Sequence, residues 1–235
     1  KHNTKWYNLS MNNETTPTHL GFIADGNRRW AKERNLPTLE GHRAGLAAIE
    51  TVATECFNHG VKFVSFYIFS TENWNRSTDE VSYLMTLAQT QIGGLAKKLH
   101  KNNIKLIVMG KRDERIPSGL QKSIDKAEAL TSDGTKGTLA ICFNYDGRQE
   151  IIDAAASIQG EITAESLAAH LYCPEVPDCD MIIRTSGEQR ISGFQLWRAS
   201  YSEFLFLEKY WPDMGPSDVT SILDTYASRH RRFGR

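Results

Sequence analysis

An α/β fold with a central, mostly parallel six-stranded sheet flanked by helices is predicted for this 235-residue chain from three observations. Short β-branched or aromatic runs alternate with longer stretches of helical period. Most of those runs are almost continuously apolar, as strands covered on both faces must be. Composition is that of one ordinary globular chain, 40% hydrophobic and 24% charged, with no repeat, low-complexity tract or Pro/Gly-rich linker to divide it. Residues 1–18 are polar and read as disordered, or as an appended remnant ahead of a start at Met11; residues 19–235 are expected to form the single domain.

Six strands are expected, at His19–Ala24, Lys62–Phe69, Ile104–Met109, Thr138–Phe143, Asp180–Arg184 and Glu203–Leu207. A helix is expected to begin over Trp30 to Arg34. Gly45–His59 sets Ile49, Val52, Ala53, Cys56 and Phe57 on one helical face, and Gly60 stops it. Thr78–Lys101 repeats Val81, Leu84, Met85, Ala88, Ile92, Leu95 and Leu99 at i, i+3, i+4, i+7 spacing, a rod of about 35 Å. Core packing is the plainer account of that stripe, but its length requires a long surface to cover. Gly93–Gly94 inside the rod costs roughly 1–2 kcal/mol relative to alanine, which predicts a bend or a close approach.

Twenty-eight basic residues balance 28 acidic ones, so the chain has no overall field for a nucleic-acid backbone, and any anion site must be local. Cys56, Cys142, Cys173 and Cys179 include no CxxC pair and read as reduced thiols of a cytoplasmic protein; His170 beside them lacks the paired spacing of a zinc site. Apolar runs such as Val61–Phe69 fall short of the roughly 20 residues that cross a bilayer, and no secretory core precedes them.

The chemistry gathers where strands end. The first strand runs into Asp25-Gly26-Asn27-Arg28-Arg29-Trp30, a carboxylate, a glycine and two guanidinium groups at the carboxyl edge where α/β sheets bind ligands. If a helix follows at once, its leading amides favour a phosphate group, although a capped turn with surface arginines has the same residues. Ser70-Thr71-Glu72-Asn73-Trp74-Asn75-Arg76-Ser77 follows the second strand; Ser77 or Thr78 with Glu80 reads as helix capping, whereas Asn73 and Trp74 have no capping explanation. Arg184-Thr185-Ser186-Gly187-Glu188-Gln189-Arg190-Ile191-Ser192 follows the fifth strand as a second anion site. Glu203 is either a solvated strand edge or a partner for Asp25 around a metal, and paired hard oxygens suit Mg²⁺.

From His19 to Gly234 the chain resembles the cis-prenyltransferases, the undecaprenyl diphosphate synthase family. The resemblance rests on Asp25–Ala31, Gly41-His42-Arg43-Ala44-Gly45, Phe69–Arg76, Asn144-Tyr145-Asp146-Gly147-Arg148, Arg184–Arg190 and Arg231-Arg232-Phe233-Gly234. It implies Mg²⁺-dependent, repeated condensation of isopentenyl diphosphate onto an allylic diphosphate such as farnesyl diphosphate, giving a long polyprenyl diphosphate, undecaprenyl by default. That product is the precursor of the cell-wall lipid carrier. By the same resemblance Asp25 and Glu203 hold the metal, and Gly26, Asn27, Arg28, Arg29 and His42 grip the allylic head. Arg184, Arg190 and Ser192, with Ile191 beside them, hold isopentenyl diphosphate. Asn73 matches the family's proton acceptor, but a neutral carboxamide is a poor base, so it is assigned orientation with Ser70, Thr71, Glu72 and Arg76 around it. The departing diphosphate would take the proton. Trp30 and Trp74 would wall the chamber, and the Thr78–Lys101 stripe would line a hydrophobic tunnel between sheet and helices. A homodimer is implied, with no nucleic-acid partner and room for peripheral membrane contact during product release.

Several positions depart from the family pattern. Thr38 stands where many members carry an arginine, and Ala24 where methionine is common. Ile68 and Phe143 replace alanine and should narrow the tunnel, favouring a shorter product, whereas Gly137 should open its floor. A non-catalytic partner subunit would lack the Asp25, Asn73, Arg184, Arg190 and Glu203 present here, and a phosphohydrolase would want an acid where Asn27 stands.

Overall fold

The structure, a computed structural model, describes residues 16–229, so the start at Met11 and the closing Arg231–Gly234 lie outside the described residues. All six expected strands form: β1 His19–Ile23, β2 Phe63–Ser70, β3 Ile104–Met109, β4 Gly137–Tyr145, β5 Met181–Arg184 and β6 Glu203–Phe206. They pair in the order β3-β4-β2-β1-β5-β6, and every pair is parallel rather than merely most of them. Parallel pairing aligns all six carboxyl ends on one edge, the edge that carries the chemistry.

Among the described residues seven helices cover the sheet: α1 Asn27–Glu33, α2 Thr38–Asn58, α3 Thr78–Lys101, α4 Ser118–Thr131, α5 Gly147–Ser157, α6 Ala164–His170 and α7 Pro216–Ser228. On one face Leu20, Phe22, Val64, Phe66, Met181 and Ile183 pack with Val52 and Cys56 of α2, Leu99 of α3 and Ile222 of α7. On the other, Ile23, Tyr67, Cys142 and Ile182 pack under Val176, Phe194 and Ala199 from the segment between α6 and β6. Alternate residues of one strand thus enter different cores, which is why the strands read as unbroken apolar runs.

Two helices begin earlier than the sequence predicts. α1 starts at Asn27 because Gly26, at φ +102°, turns the chain straight off β1. α2 starts at Thr38 behind Pro37, two turns before Gly45. Its first turns hide their apolar signal because they face α1 with Gly41 and Gly45, where a β-carbon would lie 2.1 Å from the Asn27 carbonyl oxygen and 2.3 Å from Asn27 Oδ1. α3 runs unbroken over the predicted residues, with Ser77 Oγ accepting the Glu80 amide as its cap.

Between sheet, α2, α3 and α4 lies a cavity of about 620 Å³, lined by Ile68, Val108, Ile141 and Phe143 of the sheet, Leu46 of α2, Ile92 and Leu95 of α3, and Ile124 of α4. The α3 stripe therefore divides: Met85 and Leu99 are buried in the core while Ala88, Ile92 and Leu95 face the cavity. Gly93–Gly94 makes no close approach, since nothing lies within 4 Å of a β-carbon at either position; Gly94 is instead part of the cavity wall. Gly137 is not a floor. A β-carbon there would sit 2.5 Å from the Phe57 ring, under the end of α2, and the residue does not line the cavity. Among the described residues no helix is long and apolar enough to cross a membrane.

Candidate active site

Asp25 stands just past the end of β1 with its carboxylate between Arg29 of α1 and Arg184 at the end of β5. Its Oδ1 accepts the Gly26 amide at 2.7 Å and lies 3.4 Å from Arg29, while Oδ2 accepts from Arg184 at 2.8 Å. Burial alone would raise this carboxyl's pKa. The Arg184 hydrogen bond and charge, the Gly26 amide and Arg29 outweigh burial and hold it below the ordinary carboxylate range, so it is ionised at neutral pH.

Arg184 closes β5, in register with Ile23 of β1, which is why two loops 159 residues apart meet. Its guanidinium also donates to Ser192 Oγ at 2.9 Å and the Arg190 carbonyl at 2.6 Å, while its Nε is buried without an acceptor among the described residues. Ser186 and Ser192 hold the loop at φ +74° and +48°, uncommon for serine, and each is tied by its hydroxyl: Ser186 to Arg29 at 2.5 Å, Ser192 to Arg184. Arg190 reaches outward and pairs with Glu188 at 2.5 Å, a carboxylate that Arg29 shares at 3.2 Å. Ile191 anchors the same loop against the second core.

A second cluster forms around Glu80, whose partly buried carboxylate lies 3.0 Å from Arg76, 3.3 Å from His42 and 3.9 Å from the exposed Arg28. The cap at the start of α3 is real, but this carboxylate turns away from it to gather three predicted site residues from three elements. Burial and Arg76 lower the His42 pKa more than Glu80 raises it, leaving a neutral imidazole at pH 7.

The Ser70–Ser77 loop folds into a 3-10 turn over Thr71–Asn75. Asn73 does have a capping role: its Oδ1 accepts the Ser70 amide at 3.1 Å, closing a capping box. That engages one lone pair of the carboxamide oxygen, while the amino group can only donate, the opposite of what a base needs. Trp74 donates from Nε1 to Asn144 at 2.7 Å; Thr71 is half-buried and Glu72 exposed.

Two predicted residues are not brought to this centre. Trp30 donates to Asp213 at 2.6 Å beneath the Arg34 guanidinium, so its ring joins α1 to the Trp211–Asp213 turn and does not meet Trp74. Glu203 opens β6 level with Met181 and Leu20, at the amino edge of the parallel sheet, and pairs with Arg229 at 2.6 Å. Within one chain it cannot share a cation with Asp25, because the strands separate them. The sequence reads Glu80 only as a cap and Ser186 and Glu188 only as members of a ligand loop, since a carboxylate on a helix or loop carries no local sign of which arginines the fold will bring to it.

The donor set fits a hard cation held jointly with an anionic ligand. Among the described residues no group of three or more His, Cys, Asp or Glu could hold a metal, yet one ionised carboxylate with ligand oxygens is a usual Mg²⁺ arrangement.

A family profile described as "Putative undecaprenyl diphosphate synthase" matches residues 23–234. An isoprenyl transferase of Rickettsia bellii is 44% identical over 225 residues, 94% of this chain and 99% of that protein. A trans,polycis-polyprenyl diphosphate synthase ((2Z,6E)-farnesyl diphosphate specific) of Thermobifida fusca is 42% identical over 231 residues, 94% of this chain and 82% of that one. Among solved structures, lavandulyl diphosphate synthase from Lavandula x intermedia, in complex with dimethylallyl diphosphate, superposes with a TM-score of 0.90 at 31% identity, covering 94% of this chain and 99% of that one. A probable undecaprenyl diphosphate synthase of Campylobacter jejuni gives 0.80 at 27%, covering 93% and 99%.

Proposed function

The chain belongs to the undecaprenyl diphosphate synthase family of prenyltransferases, and we propose that residues 19–235 form one catalytic domain that extends an allylic diphosphate with isopentenyl diphosphate units. One observation carries the reading: an ionised Asp25 between the guanidinium groups of Arg29 and Arg184, on a sheet whose neighbouring strands contribute Ile68 and Phe143, near their carboxyl ends, to the wall of an apolar cavity. Such a site suits a polyanionic head on an apolar tail.

In each cycle the allylic carbon–oxygen bond breaks, the terminal carbon of isopentenyl diphosphate bonds to that allylic carbon, and the methylene beside the resulting cationic, methyl-bearing carbon loses a proton to the released diphosphate, which leaves the new double bond. Arg184, Arg190 and Ser192 hold the isopentenyl head; Arg28, Arg29, His42 and the leading amides of α1 hold the allylic one. Asn73 orients through its amino group. Mg²⁺ is the proposed cofactor, held by Asp25 with diphosphate oxygens, and when bound it neutralises charge on the leaving group. Incubation with labelled isopentenyl diphosphate, farnesyl diphosphate and Mg²⁺ should give a ladder of polyprenyl diphosphates; no extension of the primer would overturn the proposal.

Undecaprenyl length is the default reading, and a shorter product has a specific observation in its favour, the presence of Ile68 and Phe143 in the cavity wall. The protein acts as a homodimer in this proposal, and a Glu203 contact to the metal then comes from the second copy. Mixing Asp25→Ala and Glu203→Gln proteins under subunit exchange distinguishes the cases. Shared sites regain activity because one intact centre forms per mixed dimer, whereas sites complete within one chain regain none.

A further inference from the structure

The turn that carries Asn73 has few bonds of its own, and its position depends on groups from β4 and from the loop between β3 and α4. Near their carboxyl ends β2 and β4 both slip register: Tyr67 faces Cys142, Phe69 faces Phe143 and Ser70 faces Tyr145, so Ile68 and Asn144 are left as bulges. Asn144 is fully buried and left-handed at φ +50°, a conformation asparagine tolerates better than most residues. Its Oδ1 accepts the Trp74 indole N–H at 2.7 Å, and its Nδ2 donates to the Lys111 carbonyl at 2.8 Å and to Asp113 at 3.2 Å. The Lys111 amide returns a bond to the Asn144 carbonyl at 3.2 Å. Asp113 in turn grips Arg115 at 2.6 and 3.2 Å, and the Arg115 guanidinium lies 5.5 Å over the Trp74 ring. The indole also packs nearly perpendicular to the Phe69 ring, with ring centroids 5.0 Å apart. The indole is thus fixed through its N–H and one face, by residues that no substrate assignment uses.

We propose that Arg115, locked by Asp113 onto the Asn144 bulge, is a positioning residue that acts through Trp74 to set Ser70, Asn73 and Arg76 for reaction. It touches no reacting group in this assignment, and it rests on the functional reading above. A guanidinium over an indole is a favourable cation–π contact, and a displacement of about 1 Å in a positioning group can cost as much as a hundredfold in rate.

Arg115→Met should lower kcat about tenfold while the KM values for both diphosphates change less than about threefold, with Arg115→Lys restoring most of the loss. In a Trp74→Leu background the same Arg115→Met change should cost less than about twofold, because its route is already gone. Undiminished kcat in Arg115→Met, or an equal loss in both backgrounds, overturns the proposal. Tryptophan emission is a readout independent of catalysis: Arg115→Met and Asp113→Asn should each shift it, and neither should do so in a Trp74→Phe background. An unshifted spectrum in both variants overturns the brace even if the parent extends no primer, the separate result by which the functional reading would fail.

Discussion

At the residue scale, Asp25 has two demands on it, since the guanidinium contacts that keep it ionised also occupy the oxygens a cation would use. Asp25→Ala should leave the fold intact and lower turnover about a thousandfold, because what is lost is charge stabilisation needed chiefly in the transition state. Steady-state rates at saturating Mg²⁺ check this, and near-normal turnover would remove Asp25 from the mechanism. A different residue governs the response to acid. His19, fully buried between the Pro177 carbonyl (2.9 Å) and the Ser65 hydroxyl (2.7 Å), has its pKa pushed down by burial from 6.5 to about 4. The unfolded chain therefore binds a proton that the folded chain refuses between those values, so stability is fully present above pH 6.5 and declines as pH falls toward 4. The gap corresponds to roughly 3 kcal/mol. Urea melts across pH 4 to 7 should show that loss, and a His19→Gln protein should show a flatter acid limb.

At the element scale, the proposed function makes the cavity wall the place where a limit on product length is expected. Ile68 is the β2 bulge residue and Phe143 faces Phe69 on β4, so the register slip that positions the Ser70–Ser77 loop also sets two large side chains in the wall. An apolar chain gains about 25 cal/mol per Å² while it finds surface to bury, and a well-packed wall resists added volume at about 1–3 kcal/mol. Ile68→Ala with Phe143→Ala should lengthen the product ladder, read by thin-layer or mass analysis against the parent; identical length distributions would show that the limit lies elsewhere. α2 acts differently. Gly41 and Gly45 let it close on Asn27, which fixes α1 and its arginines against the sheet edge.

Across the whole molecule, the loop that carries Arg190 and Ser192 depends on a buried pair far from the reacting groups. Arg198 and Glu150, 2% and 0% exposed at their side chains, meet at 2.8 Å; Glu150 also accepts from Tyr145 at 2.5 Å, and Arg198 donates to the Val176 and Tyr172 carbonyls. These bonds join β4 and α5 to the chain that returns toward β6. Arg198→Met leaves Glu150 buried and uncompensated, and should cost about 3–5 kcal/mol in denaturant unfolding. A change below about 1 kcal/mol would mean that the carboxylate finds another partner or takes up a proton.

The strands, the α3 rod and the three ligand loops were readable from the sequence because each depends on local patterning: apolar runs between breakers, a 3.6-residue stripe, and polar clusters at strand ends. Helix starts at Asn27 and Thr38 were not, since a left-handed Gly26 and a glycine face turned to a neighbour leave no apolar period to read. Only the tertiary structure turned Glu80 into a hub for His42 and Arg76, spent the Asn73 carbonyl on a cap, and placed Glu203 at the opposite sheet edge from Asp25. The reason is physical. Which groups meet a carboxylate or an indole depends on strand register and direction, and a register slip of one residue re-aims every side chain beyond it.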